Sequence, residues 1–307
     1  MPARVAAARA RPRPLPILLA LAAVYILWGS TAPAIKIAVA TMPPWWLAGF
    51  RFAVAGSMLW AWSRARGTAL PTGRECGSAA LTGIVLLVLG NGVFAYALQS
   101  IPSGIGAVFF ALAPLFVALF AFAFHRERLS WLAIGGIAIG LGGMVFLYSP
   151  SGGQHLPLWP TLLGVFSTIA WALGSILQRR ARASDVVQMS ALQMLFAAAV
   201  LVVMALVGGE HLAAASFTAS SLGALLYLVV FGSIVGFSAF LWLLNNVQTT
   251  LASTYSYVNP IVSLVIGIGF LHEAFSWRLV LGAAIIVVGV AVMALAPRPP
   301  ERPKPDP

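Results

Sequence analysis

The sequence is poor in charge, and above all in acid. Of its 307 residues only 8% are charged, and just seven are Asp or Glu. A water-soluble domain carries about 25% charged residues, so a soluble globular fold is excluded. Cysteine occurs once, as Cys76, which rules out an intrachain disulfide. Histidine occurs four times, at His125, His155, His211 and His272, each outside the long apolar runs. No His, Cys and acid cluster has metal-ligand spacing, so no metal site is expected and no cofactor is implied. A serine hydrolase within the membrane would need a general base beside its nucleophile. Ser175 and Ser233 lie in apolar runs, but no histidine does. The acids are Glu75, Glu127, Asp185, Glu210, Glu273, Glu301 and Asp306, and none falls inside an apolar run. A buried carboxylate that trades a proton against another ligand is therefore missing.

What the sequence has is hydrophobic length. It is 61% hydrophobic. Ten stretches are long enough to cross a hydrocarbon core as helices: 15–37, 45–62, 78–98, 104–124, 131–148, 158–177, 186–207, 219–244, 250–271 and 277–296. They lack the period-two alternation of a lipid-facing barrel strand, so the fold class expected is all-α integral membrane.

The net charge of +11 does not mark a nucleic-acid binder, because the basic residues keep to one side. Fifteen of the 18 fall before span one or after spans two, four, six and ten. Only Lys36, Arg51 and Arg278 lie elsewhere. Positive residues stay inside, which predicts cytoplasmic termini and a lipid-bilayer partner, with no nucleic acid. The N-terminus has the look of a cleavable leader, with arginines, an apolar run and then Ala32-Pro33-Ala34. Span one has a counterpart in span six, so it is expected to stay.

The second half repeats the first. At a shift of 146, Pro114 falls on Pro260, Phe124 on Phe270 and Glu127 on Glu273. Ser130-Trp131 falls on Ser276-Trp277, Gly136 on Gly282 and Gly143 on Gly289. At 143, Trp28 falls on Trp171 and Lys36 on Arg179; at 142, Arg51 falls on Gln193. Five spans is an odd number, so the halves enter the membrane from opposite sides. The loop charges agree: His125-Arg126-Glu127-Arg128 becomes Leu271-His272-Glu273-Ala274, keeping the glutamate and losing both arginines. The expectation is ten transmembrane helices as two inverted five-helix repeats, which points to a transporter. The parts are an arm at 1–14, a first repeat at 15–148, a second at 158–296 and a Pro-rich tail at 297–307.

Trp28-Gly29-Ser30, Gly49-Phe50-Arg51-Phe52 and the doubled Pro-x12-Glu set resemble the EamA family of the drug/metabolite transporter superfamily. The resemblance covers about 17–296. It implies a bacterial inner-membrane protein with cytoplasmic termini, a central cavity and a small-molecule substrate. The closest type is an exporter of amino acids or related metabolites. A same-fold carrier of sugars or drugs is the alternative; a membrane-embedded enzyme or an assembly factor is the alternative of another class. Oligomeric state is left open, a homo-oligomer included.

Candidate substrate-binding residues are the polar and aromatic ones inside the spans: Trp28, Asn91, Trp171, Tyr255 and Asn259, with Arg51. The first five read equally as cavity lining or as ordinary interhelical bonding. They are expected to converge near the midplane. Ser253, Tyr257 and Pro260 share one face of span nine, while Tyr255 and Asn259 share the next. Arg51 lies about 9 Å into span two. It reads as an anchor for a carboxylate or phosphate, or as a structural arginine bonded to carbonyls or snorkelling. Lys36 is expected to snorkel. Glu127 and Glu273 are expected to brace helix ends. Glycines 136, 140, 143, 282 and 289 are expected to serve helix packing. Trp45 and Trp46 read as interfacial anchors. With no acid in the spans, transport down the substrate gradient or by exchange is expected.

Overall fold

The computed structural model describes residues 14–125, 130–148, 156–181, 184–247 and 254–295. Arg126, Glu127, Arg128, His155, Ser253, Glu301 and Asp306, named above, lie outside the described residues. Every regular element among those described is helical. Six helices are long and apolar enough to cross a membrane: Pro14–Ala38, Gly73–Ala97, Ser103–Phe120, Leu158–Gln178, Val186–Val207 and Ala219–Phe240. Three shorter apolar helices, Trp131–Leu147, Tyr255–Phe270 and Trp277–Met293, accompany them. Helix Pro44–Ala65 has 22 residues, but its tryptophans and Arg51 lower its hydropathy.

Local chemistry sets the ends and the breaks. The first helix is two pieces, α1 (Pro14–Gly29) and α2 (Thr31–Ala38). At the break, Ser30 Oγ donates to the carbonyls of Ile26 and Leu27, and Thr31 Oγ1 donates to Leu27. Such back-bonding bends helices, and Pro33 adds a missing N–H. Next come α3 (Pro44–Ala65) and α4 (Gly73–Gly83). A π-helical stretch, Ile84–Gly92, then leads into α5 (Val93–Ala97). Helices α6 (Ser103–Phe110) and α7 (Ala113–His125) are parted just ahead of Pro114, which has no N–H for the Phe110 carbonyl.

The chain continues through α8 (Trp131–Tyr148), α9 (Leu158–Arg180), α10 (Val186–Val207) and α11 (Ala219–Tyr227). A second π-helical stretch, Leu228–Val235, joins α11 to α12 (Gly236–Asn246). Last are α13 (Tyr255–Phe270) and α14 (Trp277–Ala294).

Packing pairs elements from the two halves. Helix α3 lies along α10, and α8 lies along α14. Helix α1 packs on α12 and α13; α9 packs on the first π stretch and on α7. Helix α6 meets α13.

The α8–α14 contact is made by glycine. A Cβ on Gly289 would lie 2.4 Å from the Gly140 nitrogen, and one on Gly136 would lie 2.6 Å from the Gly289 carbonyl oxygen. Gly143 meets Ile285 and Ile286, and Gly282 meets Leu147. Their packing role is as expected; only a missing side chain allows backbones so close.

The described acids sit at helix ends, with the sign the helix dipole favours. All four described acids serve N-termini. Glu75 completes a capping box with Thr72 at α4. Asp185 caps α10 by accepting from Gln188 N at 2.7 Å. The Glu210 carboxylate accepts from the N–H groups of Trp45 and Trp46 at the start of α3. Burial pushes the Glu210 carboxyl up, and those two N–H groups pull it partly back. Glu273 accepts from Ser103 N at 2.7 Å and Gly104 N at 3.3 Å, bracing α6 as expected.

Two cations reach helix C-termini. Arg278 donates to the Phe146 carbonyl. Lys36 does not snorkel. Its Nζ donates to the carbonyls of Leu98 (2.7 Å), Gln99 (3.1 Å) and Ile101 (3.0 Å), just past α5. Three orphan carbonyls match three ammonium donors, which is a better solvent than a long reach to the interface.

Candidate functional site

One face of α1 packs against α12 and α13. Trp28 is on that face. Its indole lies 5.0 Å from the Phe240 ring and 5.1 Å, edge-on, from Tyr255. Phe240 and Tyr255 are 5.6 Å apart, also edge-on. The Trp28 Nε1–H donates to the Gly232 carbonyl at 3.1 Å, inside the second π stretch. Gly236 must be glycine for this, since a Cβ there would be 2.7 Å from that Nε1.

Asn259 is one helical turn beyond Tyr255. With its amide nitrogen facing inward, it donates to the carbonyls of Tyr25 (3.3 Å) and Tyr255 (3.2 Å). Its Cα lies 3.4 Å from where a Gly29 Cβ would be, so Gly29 allows α13 this close to α1. Tyr25 Oη bonds Thr254 Oγ1, and Ser30 Oγ bonds Tyr227 Oη at 2.6 Å.

Arg51 reaches the same place from α3. Its side chain is 7% exposed. Its Nε donates to Ser233 Oγ at 2.9 Å, one residue from the carbonyl that takes the Trp28 indole. The guanidinium carbon lies 5.2 Å from the Phe52 ring centroid. Trp28, Tyr255, Asn259 and Arg51 thus form one cluster, joined through Gly232 and Ser233.

Trp171 and Asn91 belong to a second cluster. Trp171 is edge-on to Phe110 at 5.8 Å, and Phe110 to Phe94 at 4.5 Å. The Trp171 ring also lies 3.4 Å from a Cβ built on Gly90, inside the first π stretch. Asn91 Nδ2 turns to its own helix, 3.5 Å from the Leu86 carbonyl. The described contacts therefore arrange the six residues as two groups, each a tryptophan against a glycine of a π stretch. Tyr257 is elsewhere: its Oη donates to Val290 O at 3.4 Å, on α14. The two faces read on span nine serve different neighbours, as their spacing implies.

Sequence reasoning missed Tyr25, Tyr227, Ser233 and Phe240 as members of the first cluster. Ser233 stands in an unbroken apolar run, and nothing local ties it to an arginine 182 residues away.

A cavity of about 740 Å³ is lined by Met42, Trp45, Val93, Tyr96, Trp159 and Glu210 among others. Trp45 stacks on Tyr96 at 5.4 Å. None of the six candidate residues lines it.

The chain matches the model of the EamA-like transporter family twice, over residues 15–149 and 158–295. It is 39% identical over 279 residues to the uncharacterized inner membrane transporter YedA of Escherichia coli (strain K12), covering 90% of each chain. It is 28% identical over 285 residues to a probable amino-acid metabolite efflux pump of Salmonella typhimurium, covering 88% of this chain and 91% of that one. A crystal structure with 24% sequence identity superposes with a TM-score of 0.66, covering 92% of this chain and 99% of the other, and shares the fold. Built from apolar helices that bury a small polar and aromatic cluster, and matched along both halves, this chain belongs to the EamA-like transporter family and is a membrane transporter, not an enzyme.

Proposed function

We propose that the protein exports small organic metabolites, amino acids or related compounds, across a bacterial inner membrane by alternating access. Its ten spans form two inverted five-helix repeats, 15–148 and 158–296. The arms at 1–14 and 297–307 are cytoplasmic. Trp28, Asn91, Trp171, Tyr255, Asn259 and Arg51 line the path.

The observation that carries this reading is the mirrored contact. Trp28 of α1 packs on the Leu228–Val235 π stretch and edge-on to Tyr255. Trp171 of α9 packs on the Ile84–Gly92 π stretch and edge-on to Phe110. The π stretches begin 144 residues apart, close to the 143 that relates the tryptophans. Two related half-sites, one built around each tryptophan, suit alternation around a fixed point. The double family match and the name of the Salmonella relative support the repeat and the cargo. The described acids are all engaged at helix N-termini, which supports movement down the substrate gradient or by exchange.

Two experiments test this. Cells lacking or overproducing the protein should differ in growth on a panel of amino acids, dipeptides and toxic analogues, the overproducer surviving at least one that inhibits the deletion strain. Identical growth on every compound counts against export. For topology, reporter fusions at Ala69, Arg128, Ala183 and the C-terminus should read as cytoplasmic, and those at Met42, Gly152 and Gly209 as periplasmic. An external C-terminus would sink the ten-span inverted arrangement with cytoplasmic termini.

A further inference from the structure

We infer that Arg51 is a selectivity residue for a substrate bearing a single carboxylate, which it holds in the outer half of the path. This rests on the transport reading above. The geometry begins with an incomplete set of partners. A guanidinium has five N–H donors. In Arg51, Nε bonds Ser233, and neither terminal nitrogen bonds a described residue. Yet the side chain is 7% exposed, and it sits among Phe52, Gly232 and the helices that carry them.

Those terminal nitrogens are not sealed in protein. Among the described residues, the fully enclosed side-chain atoms without a partner are Ser63 Oγ and Ser103 Oγ. The Arg51 terminal nitrogens, which bond no described residue, are not among these atoms. One of them, Nη2, lies 3.3 Å from where a Cβ on Gly232 would stand, and the Thr31 hydroxyl is 3.9 Å from the same point. Residues of α1, α3 and the second π stretch thus meet at this point, beside the Trp28 indole.

Among the described residues, no carboxylate neutralises the charge. The ion pair between described residues is Arg66–Asp185, and Glu75, Glu210 and Glu273 hold helix N-termini elsewhere. An unpaired guanidinium in a low-dielectric interior is costly, and an anion offered by the substrate removes that cost. One cation balances one negative charge. A phosphate monoester near pH 7 carries about two, so a carboxylate suits the site better. The fork of terminal N–H groups also fits a carboxylate with two parallel bonds.

The other half of the molecule offers no second cation at the matching position. Arg51 corresponds to Gln193, whose Nε2 donates to Thr82 Oγ1 at 2.7 Å and to Gln178 Oε1. That amide is neutral and already partnered. At this position, then, the positive charge belongs to one repeat only. A substrate would lie with its carboxylate toward Arg51 and its remaining bulk toward the aromatic cluster.

The test compares acids with their amides on the purified protein. The probes are L-leucine with L-leucinamide, benzoate with benzamide, and phenyl phosphate. Binding is read from thermal stabilisation and indole fluorescence, and passage from proteoliposomes. At least one acid is expected to bind about tenfold or more tightly than its amide, the effect of a charge-assisted hydrogen bond, and phenyl phosphate no more tightly than benzoate. Arg51→Gln should bring that ratio to unity, and Arg51→Lys should keep its sign while weakening it. Ser233→Ala, which frees the guanidinium but leaves its charge, should lower the ratio; it decides the matter if Arg51→Gln does not fold. A ratio of unity in every pair for the natural protein, including binding of neither member, overturns the inference. So does a ratio that survives Arg51→Gln. Acid preference in binding without passage of any probe would leave the anion site standing and count against transport; equal passage of acid and amide would do the reverse.

Discussion

Gly289→Ala is expected to destroy most of the folded protein, whereas Gly142→Ala leaves its melting temperature where it was or slightly higher. Both glycines lie in helices of the same packed pair. At Gly289 an added Cβ would fall 2.4 Å from Gly140 N, 2.7 Å from Gly136 O and 2.8 Å from Gly140 Cα. All three are backbone atoms, which no change of side-chain conformation can remove. The helices would have to separate along their length. Overpacking a core costs about 1–3 kcal/mol even where side chains can give way, and this contact sits at or above that range. At Gly142 an added methyl would meet nothing within 4 Å, so alanine there only improves helix propensity. Melting in detergent, followed by fluorescence-detected size exclusion, reads both. Equal melting of the two variants would show that α8 and α14 are not held at backbone distance.

Replacing Tyr255 or Asn259 by alanine should cut transport far more than membrane abundance. Tyr255 presents its ring edge to Trp28 and to Phe240. Each such pair contributes about 0.5–1.5 kcal/mol beyond the area it buries. A loss of about 1.4 kcal/mol is tenfold, so transport by Tyr255→Ala should fall by at least about tenfold. Asn259 holds the Tyr25 and Tyr255 carbonyls, and its loss should loosen the α1–α13 approach that Gly29 permits. Tyr257→Phe is the control. Its hydroxyl makes one long bond to Val290 O on another face, and its removal should change transport little. Transport retained in both alanine variants would take α13 out of the site.

The features that the sequence could reveal are those with a period or a charge. The shift of 146 exposed Pro114 with Pro260 and Glu127 with Glu273, and the helix dipole then assigns Glu273 its role at a helix end. The spacing on α13 separated Tyr255 and Asn259 from Tyr257, and the structure gives the two faces different neighbours. What stayed hidden depends on distance along the chain. Lys36 finds carbonyls 62 to 65 residues away, so no local reading predicts that it caps them. The two π stretches have no compositional signature, because a shift from i−4 to i−5 bonding changes no residue preference strongly. Arg51 was visible as an anomaly from its charge alone. Its partner Ser233 was not, since a serine in an apolar run usually bonds its own helix.

The glycine seam between α8 and α14 has a mechanical consequence. Most helix interfaces adjust by letting interlocked side chains change rotamer as the helices slide, in small shear steps. Where Gly136, Gly140 and Gly289 meet, backbone rests on backbone and there are no rotamers to exchange. The pair is a stiff rib. Strain applied to one helix passes whole to the other, so any rocking of the two halves has to be taken up elsewhere, at the Ser30 and Ala111–Leu112 breaks and along the two π stretches.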